Sequence, residues 1–281
     1  MSNTYLNTIA TLVTTLCHEG QRIAQSKLAP LNAYGAIFEI DPAESPGLDS
    51  EVAICTALPD VQVLAPTDTP NYLADGINLQ PISCAHNLFI QPFTIENAYY
   101  QGGARMSLVA AAAMNNLCNA IVDKAKSHIT TDNFGAAVVT AAVGAPWTQI
   151  AFATLAGSIT SPNRAVVLDS PYAMQTPNTW LPASGNCSVY ECSRWSTAGS
   201  NIVGFAATPE AMVFRHGVPT TSLAERRVII SETITLANLG GLKIEASVCM
   251  PTNTRNLVGA YRLFFAAAPA DKSALKLLAK A

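Results

Sequence analysis

The chain has 281 residues, of which 49% are hydrophobic and only 12% are charged, about half the usual charged share of soluble proteins. These few charged residues cannot cover the surface of a monomer, which would leave a large apolar area exposed to water. That area must be buried against a membrane or another subunit. The length allows one large domain or two closely connected ones.

A membrane is excluded by the pattern of the apolar residues. The longest charge-free stretch, 134–163, is interrupted by glycines and prolines, so no run of about 20 apolar residues could span a bilayer. Residues 1–5 lack the basic flank of a signal peptide. The seven cysteines have no repeating spacing, which predicts reduced thiols in a cytosolic protein rather than a disulfide framework.

The net charge of −3 is unevenly distributed along the chain. Residues 28–104 contain nine acidic residues and no Lys or Arg, whereas residues 105–281 carry a net charge of +5. An acidic segment attached to a basic body indicates electrostatic complementarity, within one chain or between neighbours. A solvated acidic loop explains the charge pattern equally well.

The first predicted element is an amphipathic helix near the N-terminus. Its apolar residues recur at helical spacing: Tyr5, Leu6, Ile9, Leu12, Val13 and Leu16. Many threonines lower its helix propensity, so we expect this helix to need a partner surface.

Residues 30–85 are predicted to form an extended hairpin or arm. Three short runs typical of strands, 36–40, 51–58 and 61–65, are separated by prolines and glycines. The segment has too few large apolar residues to build a core of its own. We therefore expect this arm to lie on another surface.

A strand at 87–95 precedes the strongest helix pattern of the sequence, at 107–128. Apolar residues of this helix follow helical spacing, and Lys124, Lys126 and His128 complement its C-terminus. At 1.5 Å per residue the helix would be roughly 33 Å long, enough to form the spine of a domain.

The remaining sequence alternates between helix and strand patterns. A helix is predicted at 148–159 and a buried strand at 164–168, followed by a helix capped by Ser170. A short helix is predicted at 211–216, closed by Gly217. Strands are predicted at 226–236, 242–250 and 257–267, and a short helix or frayed end at 270–281.

The sequence contains no recognisable motif for metal binding, nucleophilic catalysis or nucleotide binding. The Cys and His residues do not reproduce a zinc-site spacing, and there is no nucleophile elbow, P-loop or dinucleotide fingerprint. Ser273 and Lys276 match a two-position nucleophile pattern without its companion motifs, so we reject it. The basic residues are dispersed, which gives no nucleic-acid motif. We therefore predict no catalytic, cofactor-binding or metal-binding residues, no cofactor and no enzymatic activity.

The order of the predicted elements resembles that of the major capsid proteins of tailed bacteriophages, which share the Hong Kong 97-type capsid fold. The strand NLFIQPFTIE at 87–96 followed by the helix 105–128 resembles the passage into the spine helix of the peripheral domain. The segment 150–172, with RAVVLDSPY at its end, and the segment 201–212 resemble the axial domain. The segment 242–265 resembles the strands that return to the peripheral domain.

The resemblance implies an α+β fold with an N-terminal arm, an extended loop, a peripheral domain with a long spine helix, and an axial domain. The expected boundaries are 1–29 for the N-terminal arm, 30–80 for the extended loop, 81–130 for the peripheral domain, 131–225 for the axial domain and 226–281 for closing strands shared by both domains. In such proteins the extended loop reaches over a neighbouring subunit, which would explain its missing core and its acidity together.

The implied function is a structural subunit that assembles through pentamers and hexamers into an icosahedral shell around the phage genome. Some relatives join neighbours covalently through a lysine of the extended loop. Because this loop has no lysine, the expected shell is held non-covalently or by a separate cement protein. The implied partners are copies of this chain, separate scaffold and portal proteins, and packaged double-stranded DNA, contacted non-specifically. The implied location is the virion, assembled in the host cytoplasm, with no membrane partner.

Three alternatives stay open at the level of the sequence. The nearest is an encapsulin-like compartment, which has the same fold but encloses protein cargo. The others are an enzyme with an unrecognised site in the Thr- and Gly-rich middle, and a virion protein other than the capsid subunit, such as a decoration or tail component.

Overall fold

The protein was examined as a computed structural model that describes residues 3–40, 50–57, 78–95, 103–141, 147–161, 163–180, 186–192, 201–219, 228–250 and 257–280. The α-helices in these ranges are α1 (Asn3–Lys27), α2 (Gly103–Lys126), α3 (Thr131–Phe134), α4 (Gln149–Gly157) and α5 (Ser170–Met174). Short 3-10 helices occupy Ala29–Ala33, Asn178–Trp180, Ala237–Leu239 and Lys272–Ala274. None of these helices is long and apolar enough to cross a membrane.

The strands in the described ranges form two large sheets and one hairpin. They are β1 (Gly35–Glu39), β2 (Ser50–Ala57), β3 (Asn78–Cys84), β4 (Asn87–Ile95), β5 (Val139–Ala141), β6 (Asn163–Leu168), β7 (Asn186–Glu191), β8 (Ile202–Ala207), β9 (Met212–Gly217), β10 (Val228–Leu236), β11 (Leu242–Cys249), β12 (Leu257–Pro269) and β13 (Leu275–Lys280).

The main sheet is organised around the long strand β12. One side of β12 pairs with β4 in antiparallel register, from Leu257 opposite Ile95 to Phe265 opposite Asn87. The other side pairs with β11 along its first half and with β9 along its second half. Strand β10 extends the sheet beyond β11, and β1 joins β9 in parallel.

Helices α1 and α2 cover one face of the main sheet. Because side chains alternate along a strand, Tyr261 and Leu263 of β12 face these helices and Arg262 faces away. The Tyr261 hydroxyl donates a hydrogen bond of 2.7 Å to the Leu16 carbonyl of α1. Gly20 of α1 fits tightly here, since an added Cβ would lie 2.9 Å from Met114 of α2. The helical stripes predicted from the sequence therefore form the core between the helices and the sheet.

The second sheet has the strand order β5-β13-β8-β6-β7. Strand β8 is buried along its whole length, because β6 and β13 flank it on both sides. Helix α4 packs on this sheet through Phe152 and Leu155, which contact a cluster that includes Val166 and Leu168.

Strands β2 and β3 form a separate antiparallel hairpin, which we call the arm hairpin. Its base packs on the main sheet, on the face away from α1 and α2. There Ile82 and Cys84 of β3 contact Val213 of β9 and Ala266 of β12. Among the side chains that the structure describes, the apolar contact of the arm hairpin with the main sheet is this small cluster at its base.

Most of the predicted elements are confirmed, and four local predictions are wrong. The arm predicted from residue 30 begins only after β1, because Leu31 and Tyr34 are buried in the main core and β1 pairs with β9. The segment 211–216 is strand β9 rather than a helix, because it fills the place between β1 and β12. The segment 270–281 is not a helix or a frayed end: β13 pairs with both β5 and β8. The cap of α5 is Asp169 rather than Ser170, since the Asp169 carboxylate accepts the Ser170 N–H. The strand predicted at 61–65 lies outside the described residues.

Candidate assembly surface

The described residues contain no group of three or more His, Cys, Asp or Glu side chains that could hold a metal ion. A cleft of about 270 Å³ lies where α1, α2 and β7 meet, lined by Lys27, Cys118, Asn119, Glu191 and Cys192 among others. A second, more open groove of about 540 Å³ runs along the threonines of α1. The lining of this groove includes His18, Glu19 and Ser107, while the Thr14 and Thr15 hydroxyls donate to carbonyls of their own helix.

Two cysteines of the helices, the buried Cys118 and the half-buried Cys17, have thiols whose pKa is raised. Burial raises the pKa of Cys118 to about 12, and burial together with the Glu232 carboxylate raises the pKa of Cys17 to about 12. The Cys17 thiol donates a hydrogen bond of 3.4 Å to Glu232. Because the thiolate is the nucleophilic form, both cysteines serve as packing residues.

Lys126 anchors the end of the spine helix to the second sheet. Its side chain is buried in the last turn of α2, near Asp123, Asp169 and Cys192. Burial lowers the pKa of Lys126, while Cys192 and the two carboxylates act in the opposite direction. Asp169 also caps α5 at the end of β6, so one charged cluster connects the main body to the second sheet.

Several large apolar side chains are exposed on the surface of the described residues. Within the described residues these are Phe38, Leu88, Ile90, Leu108, Val138, Ile150 and Met174. Leu108, Ile150 and Met174 are 70%, 79% and 80% exposed, so they make little contact within their own chain. Single side chains of this kind are common on monomers, whereas contiguous groups of them mark surfaces that are covered in an assembly.

One group of these residues lies on the second sheet and its helices. Ile150 shares the outer face of α4 with Ala153, Thr154 and Gly157, all of which are exposed. The segment 133–163 around this face has no charged residue. An uncharged surface can meet a copy of itself without like-charge repulsion.

A second group lies on the outer strand of the main sheet. In the described residues β4 pairs only with β12, and Phe89 and Phe93 on one of its faces pack on Phe265 and Tyr261. Leu88 and Ile90 alternate with them and are exposed on the face away from the helices. This face also carries the base of the arm hairpin.

A buried salt bridge lies on the same face, between Glu245 of β11 and Arg262 of β12. The two residues are opposite each other in register, and their N–O distance is 2.5 Å. Sequence reasoning did not identify this pair, although Arg262 is the only charged residue of β12. A single charge inside an apolar strand was the available signal.

The chain resembles known proteins in its structure but not detectably in its sequence. No protein-family model matches the chain, and no curated protein matches it. Among solved structures, a virus-like particle from Pyrococcus furiosus aligns with a TM-score of 0.56 and 10% identity, covering 96% of this chain and 98% of that chain. The capsid of an empty GTA particle aligns with a TM-score of 0.53 and 11% identity, covering 92% and 90%.

These likenesses extend over nearly the whole of both chains and show the fold. The chain has the α+β, Hong Kong 97-type capsid fold that the order of its sequence elements predicted.

Proposed function

We propose that this chain is the major capsid protein of a tailed bacteriophage, which assembles non-covalently through pentamers and hexamers into an icosahedral shell around the genome. The observation that carries the proposal is the end-to-end structural likeness to subunits of a virus-like particle and of a GTA capsid. The role is structural rather than enzymatic, in keeping with the small charged fraction and the exposed apolar side chains.

We assign the segments of the chain to the parts of a capsid subunit as follows. Residues 1–29 form the N-terminal arm, 30–80 the extended loop with its root strand β1 in the main sheet, 81–130 the peripheral domain, 131–225 the axial domain and 226–281 the closing strands. In this scheme the arm hairpin reaches over a neighbouring subunit, and the uncharged face of α4 lies towards the axis of a ring. The base of the arm hairpin, where Ile82 and Cys84 pack on β9 and β12, supports this assignment because it fixes the hairpin to the outer face of the main sheet.

Partners other than copies of the chain are part of the same proposal. Packaged double-stranded DNA would touch the inner surface non-specifically, and scaffold, portal and cement proteins would be separate chains. The assembled protein would be a virion component that forms in the host cytoplasm. A shell that encloses protein cargo is the second candidate, supported by the same fold; the contents of purified particles distinguish the two.

The arm hairpin provides a direct test of assembly. Ala57 and Asn78 are paired at the last described position of the ladder, so residues 58–77 can be replaced by an Asn-Gly turn without removing a ladder pair. We expect this variant to remain folded and to sediment as a subunit or small ring where the full chain forms shells. If the shortened variant forms closed shells as readily as the full chain, the role assigned to the arm hairpin is wrong; if the full chain forms no shells under any condition, the proposed function is wrong.

A further inference from the structure

His216 occupies a buried position at the root of the arm. It lies near the end of β9, opposite Glu39 of β1 and Phe265 of β12, and its side chain is completely buried. Strand β1 ends at Glu39, and the chain then continues to β2 of the arm hairpin. His216 therefore lies where the chain leaves the main sheet for the arm.

Several contacts at this point hold the end of β1 to its neighbours. The Ile40 N–H donates a hydrogen bond of 2.7 Å to the His216 carbonyl. The Lys243 ammonium of β11 lies 2.6 Å from the Glu39 carboxylate, and the Arg215 guanidinium donates to the Glu39 carbonyl at 3.4 Å. The end of β1 is thus attached by residues of β9 and β11 on either side of the His216 ring.

The His216 ring accepts a hydrogen bond from the start of β11, and it can do so only while the imidazole is neutral. Its Nδ1 accepts a hydrogen bond of 3.2 Å from the Lys243 N–H, so Nδ1 carries no proton and Nε2 does. The Nε2 atom is buried without a hydrogen-bond partner in the described part of the chain. A second proton would have to enter at Nδ1, where it would face the Lys243 N–H, donor against donor.

Protonation would also place a charge in a poor environment. The charged groups that act on His216 from the packed strands are Glu39 of β1, which favours the cation, and Lys243 of β11, which opposes it. Arg215 adds a further cation on the same strand, facing the opposite side of the sheet. Burial, the largest effect, lowers the pKa of His216 to about 4.

We propose that His216 is a proton-sensitive latch that holds the root of the arm on the main sheet while its imidazole is neutral. When His216 takes up a proton, the Lys243 N–H loses its acceptor, and the start of β11 and the Lys243–Glu39 salt bridge are displaced with it. The end of β1 then separates from β9, while the rest of the sheet keeps its pairing. If the chain builds a shell, as the proposed function states, acid would loosen the attachment of the arm to the main sheet in each subunit.

Hydrogen–deuterium exchange of the full-length, unassembled chain tests this latch. After correction for intrinsic rates, we expect the amides of Ile40 and Lys243 to exchange about tenfold faster or more near pH 4 than at pH 7. Amides at the centre of β12, such as that of Tyr261, should keep their protection. Equal loss across the sheet, or no loss at Ile40, would overturn the proposal.

Two variants separate His216 from the other acid-sensitive group. His216→Asn keeps an acceptor for the Lys243 N–H but does not titrate in this range, so its Ile40 amide should stay protected in acid. Glu39→Gln removes the carboxylate and should retain the acid response. If Glu39→Gln abolishes the response and His216→Asn leaves it intact, the salt bridge rather than the histidine is the latch.

A spectroscopic measurement covers the case in which His216→Asn does not fold. In the wild-type chain labelled with ¹⁵N-histidine, the His216 ring should show a protonated Nε2 and an unprotonated Nδ1 at neutral pH. The reverse tautomer would overturn the proposal. Because these measurements are made on unassembled chains, a negative result leaves the proposed shell function standing.

Discussion

Glu245 and Arg262 form a cross-strand salt bridge at 2.5 Å, and their side chains are only 7% and 6% exposed. Glu245 Oε2 and Arg262 Nε have no hydrogen-bond partner in the described structure. Removing one partner would leave an unpaired buried charge. Replacing one residue of the pair should therefore lower the free energy of unfolding more than replacing both residues with apolar ones.

Arg262→Met alone is expected to lower the free energy of unfolding by about 3–5 kcal/mol. Glu245→Leu, which leaves a cation without its anion, is expected to have an effect of the same order. The double variant Glu245→Leu with Arg262→Met should recover most of the loss, because it removes both buried charges. Urea unfolding of the four proteins in a double-mutant cycle measures the coupling, and strictly additive losses would contradict it.

Two glycines form a matched pair for testing the packing of the main sheet. A Cβ added at Gly35 would lie 2.1 Å from the Phe214 ring, whereas nothing lies within 4 Å of a Cβ at Gly157. Gly35→Ala should therefore destabilise the protein by roughly 1–3 kcal/mol through overpacking. Gly157→Ala should be neutral or stabilising by up to about 1 kcal/mol, since Ala favours a helix. Thermal unfolding followed by circular dichroism distinguishes the two; equal midpoints would show that Phe214 can move aside.

The pH dependence of stability carries a separate signature of His216. Its pKa is lowered to about 4 in the folded chain, against 6.5 for an ordinary histidine. Between these values the unfolded chain binds more protons, so stability is fully present above pH 6.5 and is lost as the pH falls towards 4. The loss should reach roughly 3 kcal/mol. The difference in unfolding free energy between wild type and His216→Asn, measured across this window, should shrink or reverse in acid, and a constant difference would contradict the shift.

Ile150 tests the uncharged face of α4. Its side chain is 79% exposed, so Ile150→Asp should leave the unfolding midpoint of the subunit nearly unchanged. If this face meets copies of itself, the same substitution brings like charges together and should prevent ring and shell formation. Ile150→Leu is the matched control and should assemble normally. Normal assembly of the aspartate variant, measured by light scattering, would remove this face from the interface.

The sequence predicted the long helices and the late strands because their apolar periodicity agrees with the contacts that they make. It failed at 211–216, where Pro209 before a short apolar run resembles a helix start, but pairing with β1 and β12 decides the structure. It failed at the C-terminus for the same reason, since β13 depends on β5 and β8, which are distant in sequence.

The surface features were only partly accessible from sequence. The low charged fraction predicted burial against another subunit, and the exposed Ile150 and Met174 agree with that expectation. The Glu245–Arg262 pair and the His216 contacts could not be predicted, because each joins strands through register. Register between strands far apart in sequence is set by the whole sheet rather than by any local pattern.

Electron microscopy of the purified, concentrated full-length protein tests the central claim most directly. The account predicts closed icosahedral or polymorphic shells, or rings of five and six subunits, and packaged DNA in particles recovered from infected cells. A protein that stays strictly monomeric at high concentration and raised salt would contradict the proposed shell function.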